Sequence, residues 1–482
     1  MSGVTPGMQP IDARIAGAAA TGRASGWLLG LLWLLLLLGV MGLVGQMRQD
    51  EGLTWLLEAI SFVVPFLVLS VYTAVSWIRR NFNFLSPFFF PFVFFTLYYA
   101  LPSLALIRVE LPDRTLYANV MYVQVLGLLS FLAGVSLYAI VRRGGPRVVA
   151  PPVTQTILHW PVMAGFLAAG AALLVYYGMW SGVTPGLLSG TNVEGLRRSA
   201  EIGSGVFKIT GEFFIVLGTL FFAARDFRRT GRCRLRIVVL IALVVGLIFM
   251  TTGHRATAFY VVLFSIAIYN KYRRISPMLV LAAGAGLFGL IGLADVIKGL
   301  DLDDMSVVDF VVHRSCLRYQ AVYDLNFTQL VRLIDLGRFE LQYGWEYIQN
   351  AMVVIPRGLY PDKPLHFDYV LKERLGLTFT GGGAPATPMG SLYLNFHYWG
   401  VVLGMIAMGA LYHGLFVRFI RERGLFASII IMMVLAAVVN PANFLMQVLL
   451  VLGMGSAIVV TDLVLSGAAR RHGTRVAPIS GS

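Results

Sequence analysis

Charged side chains are scarce in this chain. They make up 13% of its 482 residues, against about 25% in a soluble domain, which excludes an ordinary water-soluble globular protein. Cysteine is nearly absent: Cys233 and Cys316 show no metal-ligand spacing and fall on opposite sides in the topology read below, which excludes a disulfide framework. No internal repeat recurs at a fixed period, so nothing indicates a solenoid. Acidic residues are outnumbered, 24 against 38 basic, for a formal charge of +14. In a soluble chain that excess would point to nucleic acid; here its placement in loops gives a different reason, and no nucleic-acid partner is expected.

What the chain has in abundance is apolar length. It is 57% hydrophobic, with a mean hydropathy of +0.76, and a helix needs about 20 apolar residues to cross a bilayer. About twelve such runs occur, near 27–45, 55–78, 84–107, 119–141, 160–180, 206–224, 237–252, 255–270, 277–297, 389–416, 425–440 and 444–465. The fold class expected is an all-α polytopic membrane protein of about 12 transmembrane helices. Arg14 and Arg23 precede the first run, but "WLLGLLWLLLLLGVMGLVG" is too long for a cleavable leader and reads as a retained helix.

Alternate loops carry the basic excess. Arg79 and Arg80, Arg142, Arg143 and Arg147, the arginines between Arg225 and Arg236, Lys271, Arg273 and Arg274, Arg418, Arg421 and Arg423, and Arg470, Arg471 and Arg475 all share one side. By the positive-inside rule that side is cytoplasmic, and both termini lie there. The domain reading is a cytoplasmic tail at 1–26, helices one to nine over 27–297, a large extracytoplasmic loop at 298–388, helices ten to twelve over 389–465, and a second tail at 466–482.

The large loop concentrates polar chemistry. "DDMSVVDFVVHRSCLRYQAVYDLNFTQLVRLIDLG" has apolar residues at helical spacing and ends on Gly337, which predicts one or two helices over 306–336. Arg314 and Arg318 then share a face and need an anionic neighbour. A further helix is expected in "RFELQYGWEYIQNAMVVIP". In "PRGLYPDKP" Pro356, Pro361 and Pro364 stiffen a segment that carries Arg357, Asp362 and Lys363. "TFTGGGAPATPMG" then opens the tenth helix through a Gly-rich loop, a weak phosphate signal by itself. His254 and Arg255 sit at the outer junction of the seventh and eighth helices, where a deep charge costs roughly 2.5 kcal/mol or more. Arg255, Arg314, Arg318, Arg357 and Lys363, with His254, therefore make a candidate diphosphate-binding set, since arginine forks bind phosphate bidentately.

These features together resemble the O-antigen and exopolysaccharide repeat-unit polymerases, the Wzy-type family. The likeness rests on "GHR" at the outer end of a mid-chain helix, "IPRGLYPDKP" in a large outer loop, and "GSLYLNFHYWGVVLGM" in the helix that follows, and covers roughly residues 210 to 460. It implies a GT-C-like membrane glycosyltransferase of the bacterial inner membrane with its active site facing the periplasm. Such an enzyme transfers a growing glycan from its polyprenyl-diphosphate carrier onto a new lipid-linked repeat unit, alongside a chain-length regulator and a flippase. The family's functional arginines match Arg255 and Arg357 best; the Arg-x10-Gly loop pattern of some members is missing from the outer loops. An O-antigen ligase or a lipid-linked oligosaccharide transporter is the alternative.

Such chemistry needs cations beside the departing diphosphate and a base beside the acceptor hydroxyl. His313, adjacent to Arg314, is the favoured base and Asp362 the second, with Arg357 completing the catalytic set; His254 and His366 are further candidates, and His397 is read as satisfying a local hydrogen bond. No metal or cofactor is expected; "DLDD" at 301–304 reads as an acidic cluster following a helix. The structural alternatives are specific. Arg255 pairs with Glu212 or reaches for the interface, Arg314 and Arg318 lie on a solvated face, Arg357 clamps Asp362 or Asp368, and Lys363 is a surface charge. The aromatic run "FFFPFVFFTLYY" at 88–99 is read as lipid-facing or packing surface, or as the wall of a polyprenyl groove.

Overall fold

A computed structural model describes residues 51–100, 114–141, 159–188, 194–253, 255–273, 326–355, 359–376, 386–422 and 424–473, with isolated positions between 275 and 284. Every regular element among them is helical. In chain order these are α1 (Glu51–Ile78), α2 (Phe90–Phe95) continued by a π turn (Thr96–Ala100), α3 (Arg114–Val141), α4 (Trp160–Trp180) and α5 (Val183–Leu188). Then come α6 (Glu194–Thr230), α7 (Leu235–Thr252), α8 (Arg255–Tyr272), α9 (Gln329–Asp335), α10 (Trp345–Met352) and α11 (Phe367–Arg374). The chain closes with α12 (Pro388–Arg421), α13 (Leu425–Val438) and α14 (Pro441–Gly473).

Among the described residues six helical stretches are long and apolar enough to cross a membrane: Asn119–Val141, Trp160–Trp180, Gly205–Thr230, Leu235–Thr252, Pro388–Arg421 and Ala442–Leu465. This is the architecture of an α-helical membrane protein. The expected spans at 27–45 and most of 277–297 lie outside the described residues. The span expected over 84–107 takes another form. Residues 83–89 turn without forming a helix, and α2 begins only at Phe90, with a proline in its first turn. Pro87 and Pro91 explain the late start, because proline donates no N–H and suits only the opening of a helix.

The aromatic run belongs to the protein core. Phe89, Phe90, Phe92, Phe95 and Tyr99 are all fully buried, and Phe95 meets Phe131 of α3 edge to face at 5.3 Å. Around them α3 and α12 approach closely because glycines face the contact. A side chain at Gly134 would collide with the Ile406 backbone, and one at Gly409 with the Phe131 backbone. Small residues serve this purpose in membrane helix pairs, where backbone approach replaces the hydrophobic effect as the source of association.

Among the described residues, the loops after α1, α6, α8 and α12 meet at one end of the bundle. Lys271 Nζ donates to the carbonyls of Phe419 and Glu422, at 2.6 and 2.8 Å, and to Ser428 Oγ at 2.6 Å, tying α8 to the α12–α13 turn. A cation at the carbonyl end of a helix also complements its dipole. Nearby, Arg273 donates to the Gly231 carbonyl between α6 and α7, and Asn270 Oδ1 accepts the Phe84 N–H at 2.8 Å. At the opposite end lie the short helices of the long loop. There α9 stops at Gly337, whose φ of +66° lets Arg338 N–H reach back to the Leu333 carbonyl at 2.9 Å, a glycine C-cap.

Candidate functional site

The tenth predicted span is two helices. Inside α12 the backbone leaves helical geometry at Phe396 (φ −143°, ψ 20°) and His397 (φ 56°, ψ −147°). Residues eight apart in an unbroken helix stand about 12 Å from each other, yet side chains added at Gly400 and Gly404 would strike the Leu392 carbonyl and the Leu392 side chain. The segment 388–395 therefore folds back against 398–404 as a short re-entrant helix. Thr387 caps its start, its hydroxyl accepting the Gly390 N–H at 3.2 Å.

Its far end would leave carbonyls unpaired in an apolar setting, which is costly. The loop supplies donors. Gln342 N–H reaches Leu394 O at 3.0 Å and Tyr343 N–H reaches Asn395 O at 3.2 Å, and Gly344 N–H donates to Asn395 Oδ1 at 2.7 Å. Gly344 can do this because its φ of +90° is open to glycine. Two residues on, Glu346 is completely buried and accepts from Ser391 Oγ at 2.7 Å and Asn395 Nδ2 at 2.6 Å. Ser391 and Asn395 stand four apart and so share one face of the re-entrant helix.

Burial pushes the Glu346 carboxyl up to about 7, the Asp368 charge adds to the rise, and the Ser391 and Asn395 hydrogen bonds oppose it. Asp368 is likewise raised by burial, with His366 pulling it down. Glu346 Oε1 and Asp368 Oδ1 have no hydrogen-bond partner among the described residues. A wall of amides completes this side: Asn350 donates to Ala442 O and accepts the Phe367 N–H, both at 2.9 Å, while His366 Nε2 meets Asn443 Oδ1 at 3.0 Å.

A second polar cluster lies on the turn itself. Tyr393 O–H donates to Asp335 Oδ1, Asn119 Nδ2 donates to Asp335 Oδ2, and Tyr398 O–H donates to Asn119 Oδ1. His397 Nε2 stands 2.8 Å from Tyr393 Oη and 3.6 Å from Asp335 Oδ1. The imidazole is held between Tyr393 and Tyr398, with ring centroids 4.5 and 4.4 Å away. A non-glycine residue held at His397's dihedrals stores on the order of 1–3 kcal/mol. Its surroundings must fix it there, and strain of this kind concentrates at functional sites.

An apolar cavity of about 650 Å³ starts at the turn and runs along α12 toward α13 and α14. Phe396 and Trp399 line it nearest the turn, Leu403, Ala407 and Leu411 continue one helix face, and Phe444 lines it from α14. From Trp399 to Leu411 that face is about 18 Å long. Its volume falls in the range of a small-molecule or lipid-tail site.

The structure places the residues singled out from sequence as follows. Asp362 is exposed. Lys363 donates to the carbonyls of Val353 at 2.9 Å and Ile355 at 2.5 Å. His366 caps α11, its ring nitrogen accepting the Asp368 N–H at 3.3 Å. Glu212 accepts from Thr257 Oγ1 at 2.9 Å. His254, His313, Arg314, Arg318, Arg357 and the acidic run 301–304 lie outside the described residues, as does the side chain of Arg255. What sequence reasoning missed is the Glu346 and Asp335 clusters. Their signal was Ser391, Asn395 and His397 within an otherwise apolar helix. Comparison with protein-family models, curated proteins and solved structures finds no match for this chain.

Proposed function

We propose that this chain is a membrane glycosyltransferase that polymerises polyprenyl-diphosphate-linked oligosaccharides. The observation that carries the reading is the apolar cavity beginning at a polar, strained turn. The stretch from Tyr398 to Arg421 is about 36 Å long, slightly more than the ~30 Å hydrocarbon core. With Arg421 at the cytoplasmic surface, the turn at His397 stands at the opposite head-group layer. An isoprenoid tail lying along Leu403, Ala407 and Leu411 would then present its diphosphate beside the loop 298–388 and beside Arg255.

The cations assigned from sequence serve this geometry. Arg255, Arg314, Arg318 and Arg357 would stabilise charge on the departing diphosphate. Lys363 is occupied by the Val353 and Ile355 carbonyls. In this reading the protein lies in a bacterial inner membrane with both termini cytoplasmic, the GT-C-like site faces the periplasm, and a flippase and a chain-length regulator work beside it.

The test is surface-polysaccharide length on a gel from deletion cells carrying wild type, Arg255→Ala or Arg357→Ala, with membrane levels matched. The expected result is a ladder for wild type and a single lipid-linked repeat unit for each variant. A ladder that persists on the carrier lipid in the deletion strain would replace polymerase with ligase. Unchanged ladders in both variants would remove the two arginines from the site.

A further inference from the structure

We propose that His397 accepts the proton of the attacking sugar hydroxyl through Nδ1, held for that task by Tyr393 and Asp335. The proposal rests on the transferase reading above.

The direction of the hydrogen bonds selects the tautomer. Tyr398 O–H is given to Asn119 Oδ1, and Asn119 Nδ2 is given to Asp335 Oδ2. Tyr393 O–H is given to Asp335 Oδ1. With its proton so committed, Tyr393 Oη meets His397 Nε2 at 2.8 Å as an acceptor. The N–H is thereby assigned to Nε2. A neutral imidazole has one N–H, so Nδ1 keeps its lone pair. No hydrogen bond reaches Nδ1 among the described residues, and the side chain is 38% exposed. The ring is therefore fixed on one edge and open on the other.

Position supports the same role. His397 lies between Phe396 and Tyr398, two residues from Trp399, and both Phe396 and Trp399 line the cavity. A donor whose tail fills the cavity brings its anomeric carbon to this turn. The titratable groups facing the ring among the described residues are Asp335 of α9 and Tyr393 and Tyr398 of α12, with Tyr122 of α3 behind Tyr398 at 5.4 Å. Asp335 is the one carboxylate in that group. It stands where a charge would balance an imidazolium.

In the transfer, the hydroxyl proton moves to Nδ1 while the acceptor oxygen bonds to the anomeric carbon. The bond from that carbon to the phosphate oxygen breaks, and its electron pair leaves on the diphosphate. Nε2–H stays on Tyr393 Oη, and the Asp335 carboxylate, 3.6 Å from Nε2, offsets the new charge. The proton then passes to the departing diphosphate or to water. Asp335 and Tyr393 are positioning residues in this scheme, comparable in logic to the carboxylate that orients the imidazole of a hydrolase triad.

The experiment uses the full chain in lipid nanodiscs with a polyprenyl-diphosphate-linked repeat unit as donor and acceptor. Initial rates are taken from about pH 5 to pH 9, the range in which imidazole catalysis is read. For His397→Gln and His397→Ala, kcat is expected to fall about 100-fold or more, with KM for the lipid little changed and the acidic limb of the rate profile gone. Imidazole in the buffer is expected to restore part of the His397→Ala rate. Asp335→Asn is expected to lower kcat with KM for the lipid little changed. A His397→Gln enzyme with the wild-type rate and profile overturns the proposal and leaves the transferase reading intact. Lost rate with the acidic limb retained and no imidazole rescue makes His397 structural and also overturns it. Failure of the wild-type chain to extend the repeat unit at any pH overturns both.

Discussion

Asn395 joins the loop at 344–346 to the re-entrant helix at both ends of one side chain: its Nδ2 donates to Glu346 Oε2 at 2.6 Å and its Oδ1 accepts the Gly344 N–H at 2.7 Å. Replacing it by leucine strands a buried N–H and removes a donor from a buried carboxyl. Each orphan costs about 1–3 kcal/mol. Asn395→Leu should therefore unfold about 2–4 kcal/mol more easily, with proteolysis between residues 338 and 366 preceding global unfolding. Thermal denaturation in detergent and limited proteolysis check this, and wild-type protection of the loop in the variant would contradict it.

Glu346 makes the same junction sensitive to pH. Its folded-state carboxyl titrates at about 7 rather than 4.5 because it is buried. The folded state thus holds the proton more tightly than the unfolded state, so its contribution is complete below about 4.5 and declines as pH rises through about 7. The full swing is roughly 3 kcal/mol. Glu346→Gln keeps an oxygen acceptor for Ser391 and Asn395 and should flatten stability between pH 5 and 8. A variant with the wild-type slope would place the titration elsewhere.

The sequence showed the membrane class, the basic end of the bundle and the stop at Gly337, because each follows from local composition or one residue's dihedral preference. It did not show the fold-back at Phe396 and His397. "GSLYLNFHYWGVVLGM" reads as one continuous apolar helix, and the break is fixed by contacts distant in sequence, from Gln342 to Gly344 and from Asp335. The aromatic run at 88–99 was ambiguous for a related reason. In a bilayer a buried surface and a lipid-facing one have the same composition, so hydropathy alone does not separate them. Ser391 and Asn395, four apart in that helix, were the legible trace of the polar junction.

The re-entrant contact should be intolerant of one methyl group. Alanine at Gly400 would drive its Cβ into the Leu392 carbonyl and the Phe396 Cβ, neither of which is the far end of a flexible side chain. Overpacking of this kind costs about 1–3 kcal/mol. Gly246→Ala is the control, since a Cβ there meets nothing within 4 Å and alanine favours a helix over glycine by about 1 kcal/mol. Gly400→Ala is expected to lower Tm and Gly246→Ala to hold or raise it. Equal values for the two would argue against the fold-back.

Filling the cavity should act on the lipid and spare the fold. Ala407 lies midway along the cavity wall, and Ala407→Trp would place an indole in space assigned to the isoprenoid tail. KM for a long-chain carrier is expected to rise about tenfold, equivalent to roughly 1.4 kcal/mol, with a much smaller change for a carrier of two or three isoprene units. Equal penalties for long and short carriers would move the tail out of this cavity.

Lys271 tests the converse, that the basic end of the bundle is structural. Its ammonium is shared among Phe419 O, Glu422 O and Ser428 Oγ, and its ring contact with Phe419, 4.5 Å from the centroid, adds a cation–π attraction. Methionine keeps the length of the stem and abandons two carbonyls at the C-terminal end of α12 and the Ser428 hydroxyl of α13. The expected loss is about 2–4 kcal/mol of stability, read as a lower Tm. At a temperature where the variant remains folded, kcat and the pH profile should match wild type, because Lys271 of α8 binds the Arg421 end of α12, about 36 Å along that helix from the turn at His397. A changed pH profile in Lys271→Met would mean that the two ends of α12 are coupled, and the separation of support from chemistry along this helix would have to be abandoned.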